Sequence, residues 1–155
     1  MRKNILIVGG SGFIGHNLAK TCLKRFKVTC LSLNKVKKEK KLNKVKYINA
    51  DISKKRDLKK KIFNSYDIVI NLAGYINHKN KFLALKTHYD GCKNLVNFFY
   101  KRNIELFIQI GSSTEYGKQK SPNFENNNGK PNTIYAQSKL KASKFLIKFS
   151  KKNFF

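Results

Sequence analysis

The chain has no long hydrophobic run, few cysteines, few acidic residues and very little arginine. Each shortage closes off a class of protein. No stretch of the 155 residues approaches the ~18 consecutive apolar residues of a membrane span. Met1-Arg2-Lys3 is basic, but the apolar residues 5–8 that follow are too few for a signal peptide and run straight into glycines. This reading places the protein in the cytoplasm. The three cysteines, Cys22, Cys30 and Cys92, lack metal-ligand spacing, cannot all pair and stand beside no recognisable base. They read as buried reduced thiols, and no metal site is expected.

Acidic residues number eight against 34 basic ones, for a formal net charge of +26. So large an excess normally points to nucleic acid. Yet 30 of the 34 are Lys and four are Arg, whereas dedicated nucleic-acid surfaces favour Arg for bidentate contacts. Lys, Asn, Ile, Phe and Tyr make up 81 of the 155 residues. These are the residues of A/T-rich codons, so coding composition accounts for much of the charge. Nucleic acid is not the expected partner, although a polybasic surface stays open as the lesser reading.

Short apolar runs alternate with helical spacing along the chain. Strands are expected at 4–8, 27–33, 45–49, 67–71 and 105–110. Helices are expected at 13–25, 54–64 with Ser53 as the cap, 79–102 and 133–151. On the first helix Phe13, Ile14, Leu18, Cys22 and Leu23 can share a buried face. Residues 35–46, with seven lysines in twelve, read as a solvated connection, and 118–131 as a loop. No internal repeat is visible. Strands alternating with helices give an α/β domain: a Rossmann-type doubly wound parallel sheet in the order 3-2-1-4-5.

Gly9-Gly10-Ser11-Gly12-Phe13-Ile14-Gly15 leaves the first strand and opens the first helix. Gly9 permits a tight turn, Gly12 lets a pyrophosphate approach the backbone, and Gly15 lets the helix pack close. The helix start offers free N–H groups and a positive dipole to phosphates. No Gly-Lys-Ser/Thr follows, which argues against a kinase-type phosphate loop.

The G-x-x-G-x-x-G spacing, taken with Asp51, Asn71 to Gly74, Ser112 and Tyr135-Ala136-Gln137-Ser138-Lys139, resembles the extended short-chain dehydrogenase/reductase family. Within it the chain looks most like the NAD-dependent epimerase/dehydratase group that modifies nucleotide sugars. The resemblance implies a catalytic set of Ser112, Tyr135 and Lys139. Tyr135 would transfer the proton; Lys139 would favour its phenolate form and hold the nicotinamide ribose. Tyr135 and Lys139 are four apart, hence on one helix face. Ser112, five residues before Gly117, takes the place of the catalytic hydroxyl, with Ser113 and Thr114 as close competitors. The cofactor contacts implied are Gly9, Gly12, Phe13, Ile14, Gly15, Ser32, Asp51, Ile52, Leu72, Ala73, Gly74, Tyr135 and Lys139. Asp51 and Ile52 would meet the adenine, and Leu72, Ala73 and Gly74 the ribose and pyrophosphate; Asp51 also reads as a helix cap.

Three departures sharpen the expectation. Dehydratases of the group carry an Asp-Glu pair directly after the catalytic hydroxyl. Ser113 and Thr114 stand there instead, with Glu115 displaced by one, which favours an epimerase or a 4-ketoreductase. Ser32-Leu33-Asn34-Lys35 carries no carboxylate for an adenosine ribose, so the cofactor is NAD or NADP. His88 sits where the group often has an asparagine; it and His78 read as structural or surface residues. The group is also longer than this chain. Residues 1–155 therefore read as an incomplete NAD(P)-binding domain, with 152–155 as the start of a sixth strand and the part that binds the nucleotide sugar missing. Such a chain would expose an apolar fifth strand, be marginally soluble and turn over no sugar unaided. A homodimer is an expectation for a full-length form. Two other readings are a dinucleotide-binding fragment without catalysis, and a nucleic-acid binder on a Rossmann core.

Overall fold

Each strand is a run of four to six residues, richest in β-branched and aliphatic side chains in the first and the fourth, and each but the last passes through a helix or helical turn before the next strand begins. In the computed structural model, which describes residues 2–77 and 80–153, these runs are β1 (Asn4–Val8), β2 (Lys27–Ser32), β3 (Lys46–Asn49), β4 (Ile68–Asn71) and β5 (Leu106–Gln109). They form one parallel sheet in the order β3-β2-β1-β4-β5, as the alternation implies. Side chains alternate across a strand, so β1 feeds two cores. Leu6 and Val8 join Leu31, Val69, Leu95 and Phe99 on one face. Ile5 and Ile7 join Val28, Cys30, Ile70 and Ala19 on the other.

The helices are α1 (Phe13–Cys22), α2 (Lys55–Lys61), α3 (Lys81–Leu85), α4 (Gly91–Phe99) and α5 (Ile134–Asn153). Several boundaries differ from expectation. α1 buries Gly15 and Ala19 while Phe13, 87% exposed, and Ile14 face solvent, so the buried face excludes the first two residues. Ser53 does not cap α2; its amide and hydroxyl both donate to Asp51 Oδ1, at 2.9 and 2.6 Å, and the helix starts two residues later without a side-chain cap. Asp51 is thus a turn-former, not a cap. The long helix expected at 79–102 is α3, a wide π-turn at Lys86–Asp90 and α4 in succession, with Asn80 Oδ1 accepting from the Leu83 amide at 3.0 Å to cap it. Its expected first residue, Lys79, lies outside the described residues, as does His78. The lysine-rich connection is mostly exposed, with a short 3₁₀ turn at Lys38–Lys40.

At the far end, Lys152 and Asn153 continue α5 and do not begin a strand; Phe154 and Phe155 lie outside the described residues. β5 borders the sheet, and its first residue, Leu106, and Ile110 just after it are exposed. α4 and α5 meet over Cys92, Val96, Ala142 and Phe145.

Two glycines fix how β1 enters α1. Gly9 has φ +82°, a conformation side-chain-bearing residues rarely adopt. At Gly15 a Cβ would stand 2.3 Å from the Gly9 carbonyl oxygen and 2.7 Å from Gly10 Cα, both backbone atoms that cannot swing aside. Gly15→Ala is therefore expected to destabilise the domain by about 1–3 kcal/mol, the usual cost of overpacking, even though alanine gains about 1 kcal/mol in helix propensity. Urea denaturation of the two proteins checks this; equal midpoints would refute it.

Candidate active site at the carboxyl ends of the strands

The loops that leave β1, β2, β4 and β5 open at the same edge of the sheet, the edge at which open α/β sheets take ligands. The glycine loop is held there by β2. Gly9 N–H donates to Leu31 O at 2.7 Å, and Ser11 N–H donates to Ser32 Oγ at 3.0 Å. Ser32 thus supports the loop, and its own hydroxyl proton remains available to a further acceptor. Gly12 differs from its neighbours. Its φ of −73° suits any residue, and the nearest atom to a Cβ there is Gly9 O at 3.4 Å. No protein atom forbids a side chain at Gly12. α1 opens directly behind it with no side-chain cap and no acidic residue in its first turn. The N–H groups of Phe13 and Ile14 have no carbonyl a turn earlier to reach.

Asp51 and Ile52, expected at the adenine, divide. Asp51 is partly exposed and holds Ser53. The Ile52 side chain is buried in the core over Gly91, and its carbonyl accepts from Asn94 Nδ2 at 3.0 Å, so the side chain is not placed to meet a ligand. After β4, Leu72, Ala73 and Gly74 pass beside the glycine loop: a Cβ at Gly9 would be 2.9 Å from the Leu72 carbonyl carbon. Buried Asn71 steers this segment. Its Oδ1 accepts from Ala73 N–H at 3.1 Å while its Nδ2 donates to Gln109 Oε1 on β5 at 2.7 Å.

Of the expected catalytic residues, Ser112 follows β5 and Lys139 reaches back to the end of that strand. The 3₁₀ turn Ser113–Tyr116 begins with a reciprocal cap: Ser112 Oγ accepts from the Thr114 amide, and Glu115 Oε1 accepts from the Ser112 amide at 2.8 Å. Ser112 and Thr114 hydroxyls also lie 2.8 Å apart. Buried Glu115 is thereby the residue that places Ser112. Tyr135 and Lys139 lie one turn apart on α5. Lys139, 4% exposed, donates from Nζ to the Ile110 carbonyl at 2.9 Å, which ties α5 to the end of β5 two residues before Ser112. Burial pushes the Lys139 ammonium below the usual lysine value, against the opposing pull of Glu115 and Cys92.

His88, from the π-turn, closes the group. Nε2 accepts from the Tyr75 amide at 2.8 Å, Nδ1 is 2.7 Å from Ser138 Oγ, and Ser138 donates to the Tyr135 carbonyl at 2.7 Å. The ring stands edge-on to Tyr135, centroids 5.1 Å apart. Burial first, and the Lys139 charge second, pull His88 down to about 4, so it is neutral near pH 7. Burial pushes Cys30 and Cys92 up to about 12, so neither offers a thiolate near pH 7. No group of metal-binding residues occurs among the described residues, and no helix among them is long and apolar enough to cross a membrane.

Sequence reasoning named Ser112, Tyr135 and Lys139 but missed the residues that place them. Glu115 had a legible signal, the Ser-x-x-Glu spacing of a capping box. Ser138 stands inside the Tyr-x-x-x-Lys motif yet shows its role only once α5 meets the π-turn.

Known proteins resemble this chain in sequence and in fold. A family model described as "NAD dependent epimerase/dehydratase family" matches residues 5–155. UDP-N-acetyl-alpha-D-glucosaminuronate decarboxylase of Bacillus cytotoxicus is 28% identical over 131 residues, covering 79% of this chain and 40% of the relative. The crystal structure of Helicobacter pylori ADP-L-glycero-D-manno-heptose-6-epimerase superposes with a TM-score of 0.85 at 28% identity, over 98% of this chain and 53% of that one. UDP-glucuronic acid 4-epimerase from Bacillus cereus, solved with NAD, superposes at 0.83 and 20% identity, over 98% of this chain and 54% of that one; it speaks to the fold. The chain thus spans about half the length of these relatives.

The lowered His88 value has a thermodynamic consequence. The unfolded chain takes up this proton near the ordinary value of ~6.5 and the folded one only near about 4. The contribution to stability is therefore complete above ~6.5 and is lost as the pH falls toward 4, by about 3 kcal/mol at most. Urea midpoints between pH 4 and 7 should fall steeply for the wild type and less so for His88→Gln; parallel curves would contradict the assignment.

Proposed function

The chain belongs to the NAD-dependent epimerase/dehydratase family, and from that premise we propose that it forms the cofactor-binding and catalytic half of an enzyme that modifies a nucleotide sugar by hydride transfer at a sugar carbon. The observation that carries this reading is the Lys139–Ile110 bond. It brings the Tyr135 helix to the end of β5, beside Ser112 and close to the β4 segment that passes the glycine loop. The names of the relatives support the substrate class: several act on UDP- or ADP-linked sugars.

The residues present suit a dinucleotide. Gly12, whose missing side chain no protein packing requires, fronts an uncapped helix start that favours a pyrophosphate. Ser32 with Leu33, and Asp51, border the adenosine end; Leu72, Ala73 and Gly74 border the ribose and pyrophosphate. When bound, the nicotinamide supplies the hydride chemistry. The protein's part is proton traffic and orientation. Tyr135 takes or returns the proton of the sugar hydroxyl, Ser112 hydrogen-bonds the same oxygen, and the Lys139 ammonium stabilises the developing phenolate and holds the ribose. Glu115 is buried in the Ser112 cap, and Ser113 and Thr114 follow the catalytic hydroxyl where a dehydratase carries acids. This supports an epimerase or 4-ketoreductase.

NAD is the cofactor that the family description and the NAD-bound neighbours support. One observation favours NADP as a second reading. A cavity of about 650 Å³ between the glycine loop and the β2–β3 connection is lined by Lys35, Lys37, Lys40 and Lys41, with Glu39 as its acid. A 2′-phosphate would find cations there and no carboxylate at the end of β2.

Titration with NADH, NADPH and a duplex oligonucleotide at several salt concentrations tests these alternatives. Dinucleotide binding with weak salt dependence is expected. Oligonucleotide binding alone, falling steeply with salt, would replace the proposal by the nucleic-acid reading. Gly12→Ala is expected to stay within about 0.5 kcal/mol of wild-type stability while losing at least about tenfold in dinucleotide affinity, or about 1.4 kcal/mol; unchanged affinity would sink the loop assignment. Where nucleotide-sugar turnover is measured, Tyr135→Phe should lower it at least ~10²-fold and leave dinucleotide affinity largely intact.

A further inference from the structure

We propose that His88 is a positioning residue, a neutral bridge with its proton on Nδ1, that locks the segment following β4 to the helix carrying Tyr135 and Lys139. The inference rests on the reading of Tyr135 given above for its meaning in catalysis, and on geometry alone for the bridge itself. Residues 72–77 have no helix or strand of their own. The Tyr75 amide in that segment points at His88 Nε2, 2.8 Å away. An N–H can only donate, so Nε2 must be the unprotonated nitrogen. A neutral ring then carries its proton on Nδ1, and that proton goes to Ser138 Oγ. Ser138 spends its own proton on the Tyr135 carbonyl. The Tyr75 amide donates, His88 and Ser138 each accept once and donate once, and the Tyr135 carbonyl accepts, so the directions agree along the whole chain.

The bridge is built into the fold. His88 is 1% exposed, it comes from the π-turn that interrupts the α3–α4 helix, and such wide turns recur where a helix must aim a side chain. The groups that face the ring are the Tyr135 ring and Ser138 from α5, the Lys139 charge from the same helix, and the Tyr75 amide and Gly74 from the β4 segment. A second proton on the ring would set Nε2–H against Tyr75 N–H, donor against donor. The segment that borders the cofactor and the residue that moves the substrate's proton would then lose their common support.

Two measurements on the wild-type chain decide the bridge. Long-range proton–nitrogen NMR correlations, with the His88 signal identified by its loss in His88→Gln, should show the Nδ1–H tautomer at neutral pH. Amide hydrogen exchange should show Tyr75 protected although it lies in an irregular segment. In His88→Phe, which keeps a ring against Tyr135 but no nitrogen, the Tyr75 amide should exchange about tenfold faster or more while the amides of β1 and β4 keep their rates. Dinucleotide affinity should fall about tenfold in the same variant. His88→Gln, which keeps a donor and an acceptor, should retain Tyr75 protection and affinity to within about threefold. An Nε2–H tautomer, an unprotected Tyr75 in the wild type, or a His88→Phe variant with wild-type protection and affinity would overturn the proposal. If the wild type binds neither NAD nor NADP, the proposed function falls, while the tautomer and the Tyr75 amide still decide the bridge.

Discussion

The contact on which the rest of the site depends is the one between Gly15 and the Gly9 carbonyl. α1 begins pressed against the loop that leads into it, at a separation that leaves no room for a single methyl group. That closeness orients the helix start outward over the sheet edge and brings the glycine loop against the Leu72 backbone. The remaining elements arrange themselves around this corner. Ser32 fastens the loop from the β2 side, and Asn71 turns the β4 segment toward it while its other side-chain atom grips β5.

The opposite wall is assembled by buried polar groups on α5. A lysine in a protein interior is costly unless its charge is compensated. Lys139 meets the Ile110 carbonyl and lies near Glu115, whose carboxylate also holds the Ser112 amide. One anion therefore serves two members of the proposed catalytic set. The many other lysines contrast with this one. The three ion pairs found among the described residues involve partly or largely exposed lysines, which contribute little to stability. The large positive charge and the chemistry of the site are thus largely separate matters.

The sheet order was legible because each apolar run is short, bounded and followed by helical spacing. The glycine loop was legible because its spacing has few other uses. What could not be read was how polar side chains share protons across elements distant in sequence. His88 and Ser138 are fifty residues apart, and no local pattern announces that one will meet the other. Phe13 and Ile14 misled because periodicity places residues on a helix face without saying where the helix leaves the core; at its first turn that face points past the sheet edge. Ser53 misled for a related reason: a serine before a helix can satisfy a neighbouring aspartate as readily as the helix itself.

The wide turn at Lys86–Asp90 changes how the α3–α4 helix tolerates length. One such turn rotates everything after it by roughly 100°, the angular step of one α-helical residue, relative to an uninterrupted helix. Here α3, the turn and α4 all pack against α5, so that phase shift sets which residues of the second half face the neighbour they share. Removing one residue there would let the helix close to a regular winding, and the side chains on one side of the cut would swing away from α5. Insertions and deletions at this point act as a rotation. The turn is a gear between two helical segments, and the chain length across it is as much a part of the site as the identity of any residue within it.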